Sequence, residues 1–547
     1  MKEKTLSTVQ YSSLFTKLLE KRGLTDPASV RAFLFPEIAT LLDPLSMRGM
    51  PEAVARIRQA VINREKILIH GDYDVDGITG TAVVALTLEK LGADFETFLP
   101  ERERDGYGVS ARAISEAAER GIKILITVDC GVAASEQIKL ARKLGLDVIV
   151  IDHHRIPASG LPNANIILNP LQEKCPYVFK ELSAAGLAFK LSQALLGDSA
   201  LEYLDLAALS TISDVAPLYS ENRVIVKKGL ETIAAQKKAG IAALINVSKV
   251  QSKKITTTHV GFQLAPRINA AGRMGSPDAA LRLLMTGSLK EAASLAQILD
   301  GENQARKEVE KRCTKEALQT IERTVNFNRD KVIVVASDEW HVGVIGIVAA
   351  RLVDKYHRPA IVIGIQNGVG KGSGRSIAGF HLFHAMQHAK DHLLEFGGHA
   401  QAAGLSIEPS KVDAFRAAMN QYAAEHLDSA ALQPSIEFDL ELSLNQIDEV
   451  FLSELNLLEP HGAGNPPPRF LTRELKIVSN PRKTPIGVYE AVLSDGSETR
   501  MAQIKDEDYL KLVGLPKSDI FTAIYEIRTK SWNGLDSVLL AVKSITL

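Results

Sequence analysis

"IHGDYDVDGITG", residues 69–80, follows Lys66-Ile67-Leu68 and ends an apolar run in three aspartates. Asp72, Asp74 and Asp76 alternate with Tyr73 and Val75 and stop at Gly77. In an extended segment side chains alternate in direction, so the three carboxylates are expected on one side. Like charges that close repel, and some must take up protons unless a cation lies among them. A solvated acidic turn accounts for the stretch equally well when it stands alone, because Asp and Gly are common turn residues.

The neighbouring segments tip the balance. "KILIH" (66–70), "KILITVD" (123–129) and "DVIVID" (147–152) alternate with helical stretches such as "TGTAVVALTLEKLG". Strands spaced by helices of this length imply a parallel sheet with helices on both faces. Asp129 in "TVDCG" and Asp152-His153-His154 in "VIDHH" end two of these runs. In an open α/β sheet the ligand crevice lies outside the carboxyl ends of the strands. Acidic and imidazole groups from three strands are therefore expected to converge on one edge. Carboxylate oxygens suit Mg²⁺ and Mn²⁺, and imidazoles shift the preference towards Mn²⁺. Cys130, Cys175 and Cys313 lack the spacing of a zinc site and read as reduced thiols. Five or six ligands exceed one ion's usual protein share. Two ions roughly 3.5–4 Å apart suit phosphoester hydrolysis, one activating water and the other stabilising the leaving oxygen.

The whole chain frames this site. Its 547 residues leave room for three or four domains, and 46% hydrophobic with 24% charged residues fits a soluble globular protein. A formal net charge of −1 neither favours nor excludes a nucleic-acid partner. Residues 1–45 read as an N-terminal amphipathic helical segment, and 46–275 as the first α/β domain. Residues 276–325 read as connecting helices, interrupted only by Gly287 and Gly301. "KVIVVAS", a helical "VGVIGIVAARLVDKY" and "PAIVIG" begin a second α/β domain over 326–428. In 434–547, "SIEFDLELSL", "RFLTRELKIVS", "VYEAVLSD", "DIFTAIYEIRTK" and "DSVLLAVKSI" suggest a five-stranded β-barrel of OB-fold type. The N-terminus has no apolar core of a secretory signal, and no run is long enough to span a bilayer. A cytoplasmic location is expected.

In order, "HGDYDVDG", "TVDCG", "IDHH" and "SDVAPL" resemble the four motifs of the DHH phosphoesterase superfamily. Within it the chain is most similar to the RecJ family of single-strand-specific DNA exonucleases, from about residue 46 to the end. The resemblance implies a DHH domain, a DHHA1 domain and an OB-fold, the two α/β domains forming a cleft. It places metal ligands at His70, Asp74, Asp76, Asp129, His153 and Asp214. It sets His154 beside the scissile phosphate, acting with Asp76 and Asp129. Asp72 and Asp152 would orient ligands, as carboxylates often do for metal-bound histidine. "SDVAP" also reads as an ordinary helix exit before Pro217.

Phosphate handling is expected elsewhere. "GKGSGRSI" (370–377), taken alone, favours a flexible Gly/Ser loop, although glycines and Arg375 suit an anion. "EFGGHAQAAG" carries His399, and "PRINAAGRMG" carries Arg267, Asn269 and Arg273. "DEWHVGVIG" adds Trp340 and His341. The resemblance implies that Ser373 and Arg375 hold a terminal 5′ phosphate, with Arg273 and His399 also binding substrate. An arginine of "PERERDGYG" joins them, either Arg102 or Arg104, with Arg102 favoured by spacing. His461 in "EPHGAGNP" stands where relatives carry Phe, in a loop expected to lie far from the chemistry. Among the barrel aromatics Phe438, Phe470, Tyr489, Tyr525 and Trp532, most should be core, and Trp532 is the best candidate for stacking on bases.

The resemblance thus implies 5′→3′ hydrolysis of single-stranded DNA with two Mn²⁺ or Mg²⁺ ions, releasing 5′ mononucleotides in repair and recombination. It brings a single-strand-binding protein and a helicase as candidate partners, no membrane, and a monomer. The alternatives are a phosphodiesterase acting on oligonucleotides or cyclic dinucleotides, or a non-catalytic scaffold like Cdc45. Chain length and the barrel region weigh against the first, and an intact ligand set against the second. Asp76→Ala is expected to abolish cleavage and leave the fold intact.

Overall fold

The computed structural model describes residues 11–101, 104–106, 108–252, 254–433, 436–485, 487–513, 520–532 and 535–547, with the backbone alone at 530–532 and 535–536. Arg102 lies outside the described residues, as does the Trp532 side chain.

The apolar runs form strands β1 (Ile67–His70), β2 (Phe95–Phe98), β3 (Ile124–Val128), β4 (Asp147–Ile151) and β5 (Ile166–Leu168). They make one all-parallel sheet in the order β2-β1-β3-β4-β5. Every residue of β1 and β3 is buried, because helices cover both faces and no position needs a polar side chain. Helices Val75–Lys90, Ala184–Leu196 and Leu204–Ser213 share the larger of the two cores with this sheet.

One expectation fails at the opening motif. The chain is not extended through Asp76: β1 ends at His70, and a helix begins at Val75. Asp74 is its N-cap and Asp76 lies in its first turn, so helix geometry, not strand alternation, places these carboxylates.

Helix Leu289–Thr324 runs for 36 residues to the second domain and passes straight through Gly301. There β6 (Ile333–Ser337) and β7 (Ala360–Gln366) are parallel across helix Ile345–Tyr356. Strands β8 (Val369–Arg375), β9 (Glu395–Gly398) and β10 (Ala402–Ile407) complete a mixed sheet in the order β6-β7-β8-β10-β9.

"GKGSGRSI" is therefore largely strand, not the loop its composition favours. The reason is packing: Cβ atoms added at Gly370, Gly372 and Gly374 would press on Ile407, Leu405 and Leu382, each within 2.8 Å. Glycines on that face let the sheet close on its core. Lys371, Ser373 and Arg375 alternate onto the other face.

The third sheet contains β11 (Leu440–Glu441), β12 (Arg469–Ile477), β13 (Arg482–Lys483), β14 (Val488–Ser494), β15 (Thr499–Lys505), β16 (Phe521–Trp532) and β17 (Leu535–Thr546). β12 pairs with both β16 and β14, which closes β12, β16, β17, β15 and β14 into a five-stranded barrel. The fifth wall is β15, whose "TRMAQIK" gives a weak alternation, and the expected strand at "SIEFDLELSL" shrinks to two residues. Phe470 and Tyr525 are barrel core.

The N-terminal helices Ser13–Lys21 and Pro27–Leu34 belong to this barrel's core. Phe15, Leu18, Leu19 and Leu34 are buried there, each contributing about 1.5–3 kcal/mol at most. Arg223 of the first domain ties the three regions. Its guanidinium donates to the carbonyls of Phe33, Leu458, Glu459 and Pro460. Among the described residues no helix is long and apolar enough to cross a membrane.

Candidate active site

The strand ends of the first sheet deliver the expected groups to one rim. Asp74 Oδ1 accepts the N–H groups of Asp76 (2.9 Å) and Gly77 (3.1 Å). Asp76 Oδ2 accepts Ala184 N–H, and Oδ1 accepts Ala185 N–H, both at 2.8 Å. A carboxylate there meets the positive end of helix Ala184–Leu196. The Ser210 hydroxyl also reaches Asp76 Oδ1, at 2.5 Å, and Ser183 Oγ lies 2.7 Å from Ser210 Oγ. These two serines escaped the sequence reading. Ser183 just before "AAGLAFKL" is a helix-cap signal, and Ser210 sits four residues before Asp214 on one helix face.

Asp129 directly follows β3 with a left-handed φ of 62°, and Asp152-His153-His154 directly follow β4. Asp214 closes helix Leu204–Ser213. His153 Nε2 lies 3.4 Å from Asp129 Oδ1 and 3.5 Å from Asp76 Oδ2. Its Nδ1 is 3.8 Å from Asp214 Oδ2. Asp152 Oδ1 accepts from His154 Nδ1 at 2.8 Å and from the His154 backbone at 3.0 Å, while Oδ2 accepts Val132 N–H. Asp152 thus holds the His154 ring in place.

Three sets of side chains bring ligand atoms within 4.8 Å of one another: Asp129-His153-His154, Asp76-His153-Asp214 and Asp72-Asp74-Asp129. Asp129 and His153 each belong to two sets, the pattern expected of ligands shared between neighbouring cations. The donor set fits a hard divalent cation such as Mn²⁺ or Mg²⁺. Asp129 Oδ1 is buried and accepts no hydrogen bond, which a bound cation would remedy. Among the described residues the ion pairs of Asp76, Asp129 and Asp214 run to histidines and not to Lys or Arg.

His70 is not brought into this cluster. Its Nε2 accepts Ser110 N–H at 3.0 Å, and Nδ1 faces Cys130 Sγ at 3.9 Å. Burial lowers its pKa to about 4. The ring is neutral and fully enclosed.

The electrostatics without metal are unfavourable. Burial, then Asp76, raises the Asp74 pKa; its side chain touches solvent, but the surrounding protein still strips most of its hydration. Burial and the neighbouring aspartates push Asp129 well above the usual carboxylate range. Burial, with Asp76 and Asp74, brings Asp214 up to about 8. Burial acts to lower His154, but its hydrogen bond to Asp152 and that residue's charge prevail and raise it to about 9.

These shifts predict a pH signature. Between its ordinary 3.8 and about 8, Asp214 binds a proton in the folded protein that the unfolded chain has released. Stability therefore falls as pH rises through that window, and His154, raised to about 9, adds to the fall in the same direction. Chelator-treated protein should melt at a lower temperature at pH 8.5 than at pH 6, and Mn²⁺ should narrow the gap. A chelated melting temperature that is flat across this range contradicts it.

The turn after Asp214 is held from the barrel side. Val215 has φ 59°, a strained value for a β-branched residue. Leu218 N–H donates to Ala463 O at 2.7 Å, and a Cβ at Gly464 would lie 3.1 Å from Pro217. The loop carrying His461 is thus a buttress of the Asp214 turn. It does not lie far from the chemistry, as the sequence reading supposed.

The second domain supplies a distinct polar pocket. Arg375 Nη1 donates to Ser373 Oγ (3.2 Å) and to Gly374 O (2.8 Å). A Cβ at Gly346, in the first turn of helix Ile345–Tyr356, would lie 2.9 Å from Ser373 Oγ and 3.3 Å from Arg375 Nη2. Guanidinium, hydroxyl and helix N-terminus therefore share one small space, an arrangement that suits a phosphate. His399 is exposed on the β9–β10 hairpin, whose Ala402 pairs with Arg375. Arg104 is exposed. Trp340 is core, its Nε1 donating to Glu316 at 3.0 Å, and Arg267 pairs with Asp300.

Helix Ala265–Met274 joins the two halves. Asn269 Oδ1 accepts Val75 N–H at 3.1 Å, between Asp74 and Asp76. Gly272 packs against Tyr73 O so closely that any Cβ would overlap it. Arg273 Nη1 donates across the cleft to Gly343 O at 3.1 Å.

Comparison with known proteins agrees with this architecture. Residues 66–211 match the DHH family N-terminal domain, 329–425 the DHHA1 domain, and 438–544 the RecJ OB domain. The chain is 39% identical over 541 residues to the single-stranded-DNA-specific exonuclease RecJ of Bacillus subtilis (strain 168), covering 97% of this chain and 67% of that protein. It is 36% identical to the protein of that name from Escherichia coli (strain K12), covering 84% of this chain and 82% of the relative. The crystal structure of Thermus thermophilus RecJ in complex with Mn²⁺ superposes with a TM-score of 0.83 at 31% identity, covering 97% of this chain and 75% of that one. Its complex with Mg²⁺ gives 0.78 at 30% identity, over 98% and 74% of the two chains. With its three domains matched in order and its identity to these relatives extending over most of both chains, the chain belongs to the RecJ family.

Proposed function

We propose that the chain removes nucleotides from single-stranded DNA in the 5′→3′ direction, releasing 5′ mononucleotides. The observation that carries this reading is the pairing of an acidic and imidazole rim with an anion pocket on the facing domain, both braced by helix Ala265–Met274. The chain is a metal-dependent exonuclease, and the relatives' printed specificity for single-stranded DNA is carried over to it.

Bound Mn²⁺ or Mg²⁺, two ions in this reading, supplies Lewis acidity and an activated water. The protein's own residues do the positioning. Asp74, Asp76, Asp129, His153 and Asp214 hold the cations, with Asp72 beside them. The His154 ring, fixed through Nδ1 by Asp152, presents its other nitrogen and a positive charge to the scissile phosphate. Ser373, Arg375 and the first turn of helix Ile345–Tyr356 grip the terminal 5′ phosphate, with Arg273 and His399 at the edges and Arg102 or Arg104 joining.

A barrel with a core shared by the N-terminal helices gives the trailing strand a rigid platform, which supports single-stranded DNA as the partner. The same reading carries a role in repair and recombination, a cytoplasmic location, a single chain as the working unit, and a single-strand-binding protein and a helicase as partners. Digestion of 5′- and 3′-labelled single strands with Mn²⁺, Mg²⁺ or chelator tests it. The 5′ label should appear at once as mononucleotide, and only with metal. Release from the 3′ end first, or digestion under chelator, overturns it.

A further inference from the structure

Buried serines and threonines inside a helix commonly hand their hydroxyl to the carbonyl four residues back. In helix Leu204–Ser213, Thr211 does so to Ala207 O at 2.7 Å and Ser213 to Leu209 O at 2.6 Å. Ser210, wholly buried beside them, instead turns its hydroxyl to Asp76 Oδ1. Its own carbonyl accepts Asp214 N–H at 2.8 Å, so one residue touches two carboxylates of the set Asp76-His153-Asp214. Asp76 also accepts backbone N–H groups, from Ala184 on Oδ2 and Ala185 on Oδ1, so both of its oxygens are acceptors. That fixes the direction of the hydroxyl pair. Ser210 gives its proton to Asp76, so across the 2.7 Å contact it accepts from Ser183, which is also wholly buried. Ser183 Oγ in turn accepts Gly186 N–H at 3.1 Å. Each bond in such a series strengthens the next, and Asp76 meets a better donor than a lone serine.

The consequence lies in what remains for a cation. Oδ1 carries two donors, at 2.8 and 2.5 Å, which fill its lone pairs. Oδ2 accepts one, Ala184 N–H, and faces His153 Nε2 at 3.5 Å. Asp74 is held alike, its Oδ1 taken by the N–H groups of Asp76 and Gly77, but there by backbone alone. We propose that the Ser183–Ser210 pair sets the metal preference of the rim: by occupying Oδ1 it confines Asp76 to one ligating oxygen, which favours Mn²⁺ and Mg²⁺ over Ca²⁺. The smaller ions take one oxygen at each corner of an octahedron, whereas Ca²⁺ takes about six to eight oxygens and readily uses both of one carboxylate. Both serines are positioning residues that act through Asp76. The proposal rests on the metal-dependent nuclease reading.

The test uses the full chain after chelator treatment, with free Mn²⁺ followed by electron paramagnetic resonance and Ca²⁺ added as competitor. Ser210→Ala should weaken Mn²⁺ binding by roughly 10- to 100-fold, the range for residues that orient metal ligands. The loss should fall on one Mn²⁺ equivalent, because the set Asp72-Asp74-Asp129 does not include Asp76. Ca²⁺ should lose far less or gain, so the ratio of the two affinities falls by about tenfold or more. Ser183→Ala should move that ratio the same way by less. Added to Ser210→Ala it should change nothing further, since Ser183 acts on Asp76 through Ser210. A purely structural role, such as the helix cap that Ser183 also provides, lowers the melting temperature and leaves the ratio alone. The proposal is overturned if Ser210→Ala keeps the wild-type ratio, if both ions weaken by the same factor, or if the two serine changes add in full. A wild type that binds no Mn²⁺ overturns the metal rim and this proposal with it. One that binds Mn²⁺ with the expected preference yet leaves single strands intact overturns the nuclease reading alone.

Discussion

Asp129→Asn is expected to eliminate cleavage and, at the same time, to make the metal-free protein more stable. Asp129 belongs to two of the three potential cation-holding sets, so its loss disturbs both positions. Residues that only orient ligands cost 10–100-fold when replaced; a shared ligand should cost about 10³-fold or more. Stability moves the other way because burial, and then the charges of Asp76, Asp74, Asp72 and Asp152, hold the pKa of this carboxylate well above normal. A neutral amide removes that repulsion. About 1 kcal/mol of relief shifts the melting temperature by roughly 2–4 °C in a domain of this size. Asparagine is the right replacement because φ at position 129 is 62°, a conformation Asn tolerates and Ala does not. Asp76→Ala is a poorer choice than the sequence suggested. It would strand the N–H groups of Ala184 and Ala185 and the Ser210 hydroxyl, so loss of activity would come with loss of fold. Melting curves in chelator and in Mn²⁺, alongside digestion rates, separate the effects. An Asp129→Asn protein that is active, or less stable than wild type in chelator, contradicts the shared-ligand role.

Why some of this was legible in the sequence and some was not follows from the physics of each element. β1, β3 and β4 are buried on both faces, so they appear as unbroken apolar runs, and Asp129 and Asp152-His153-His154 directly follow two of them. That made the rim visible. β2, "FETF", lies at the sheet edge and is half open, so its composition says little. β8 resembles a loop in sequence because three glycines signal one locally, whereas in the fold they let one face pack under Leu405 and Leu382. His70 shares its motif with true rim residues, yet the Ser110 amide that claims its nitrogen is 40 residues away. The buttress at Ala463 and the merger of Phe15 and Leu18 with the barrel involve partners hundreds of residues apart, for which no local pattern exists.

The second large effect is expected at the anchor. Arg375→Ala should erase most of the preference for a 5′-phosphorylated end over a 5′-hydroxyl end. The guanidinium is half-buried, and burial lowers its pKa somewhat, so it meets an anion in a weakly screened setting. Charge-assisted hydrogen bonds of this kind contribute about 1.5–3 kcal/mol, or roughly a 10- to 150-fold preference. The loss should fall on KM for phosphorylated ends, because the anchor lies on β8 and not among the cation ligands. Arg375→Lys should recover little, since a point charge cannot copy the planar fork that also touches Ser373 Oγ and Gly374 O. Gly346→Ala is the companion variant: its methyl would intrude 2.9 Å from Ser373 Oγ without removing any charge. If the pocket is the phosphate seat, both changes should lower the phosphoryl-to-hydroxyl rate ratio while Mn²⁺ affinity stays put. Equal loss on both kinds of end would instead make Arg375 a general DNA contact and leave the 5′ polarity to be explained by the rim alone.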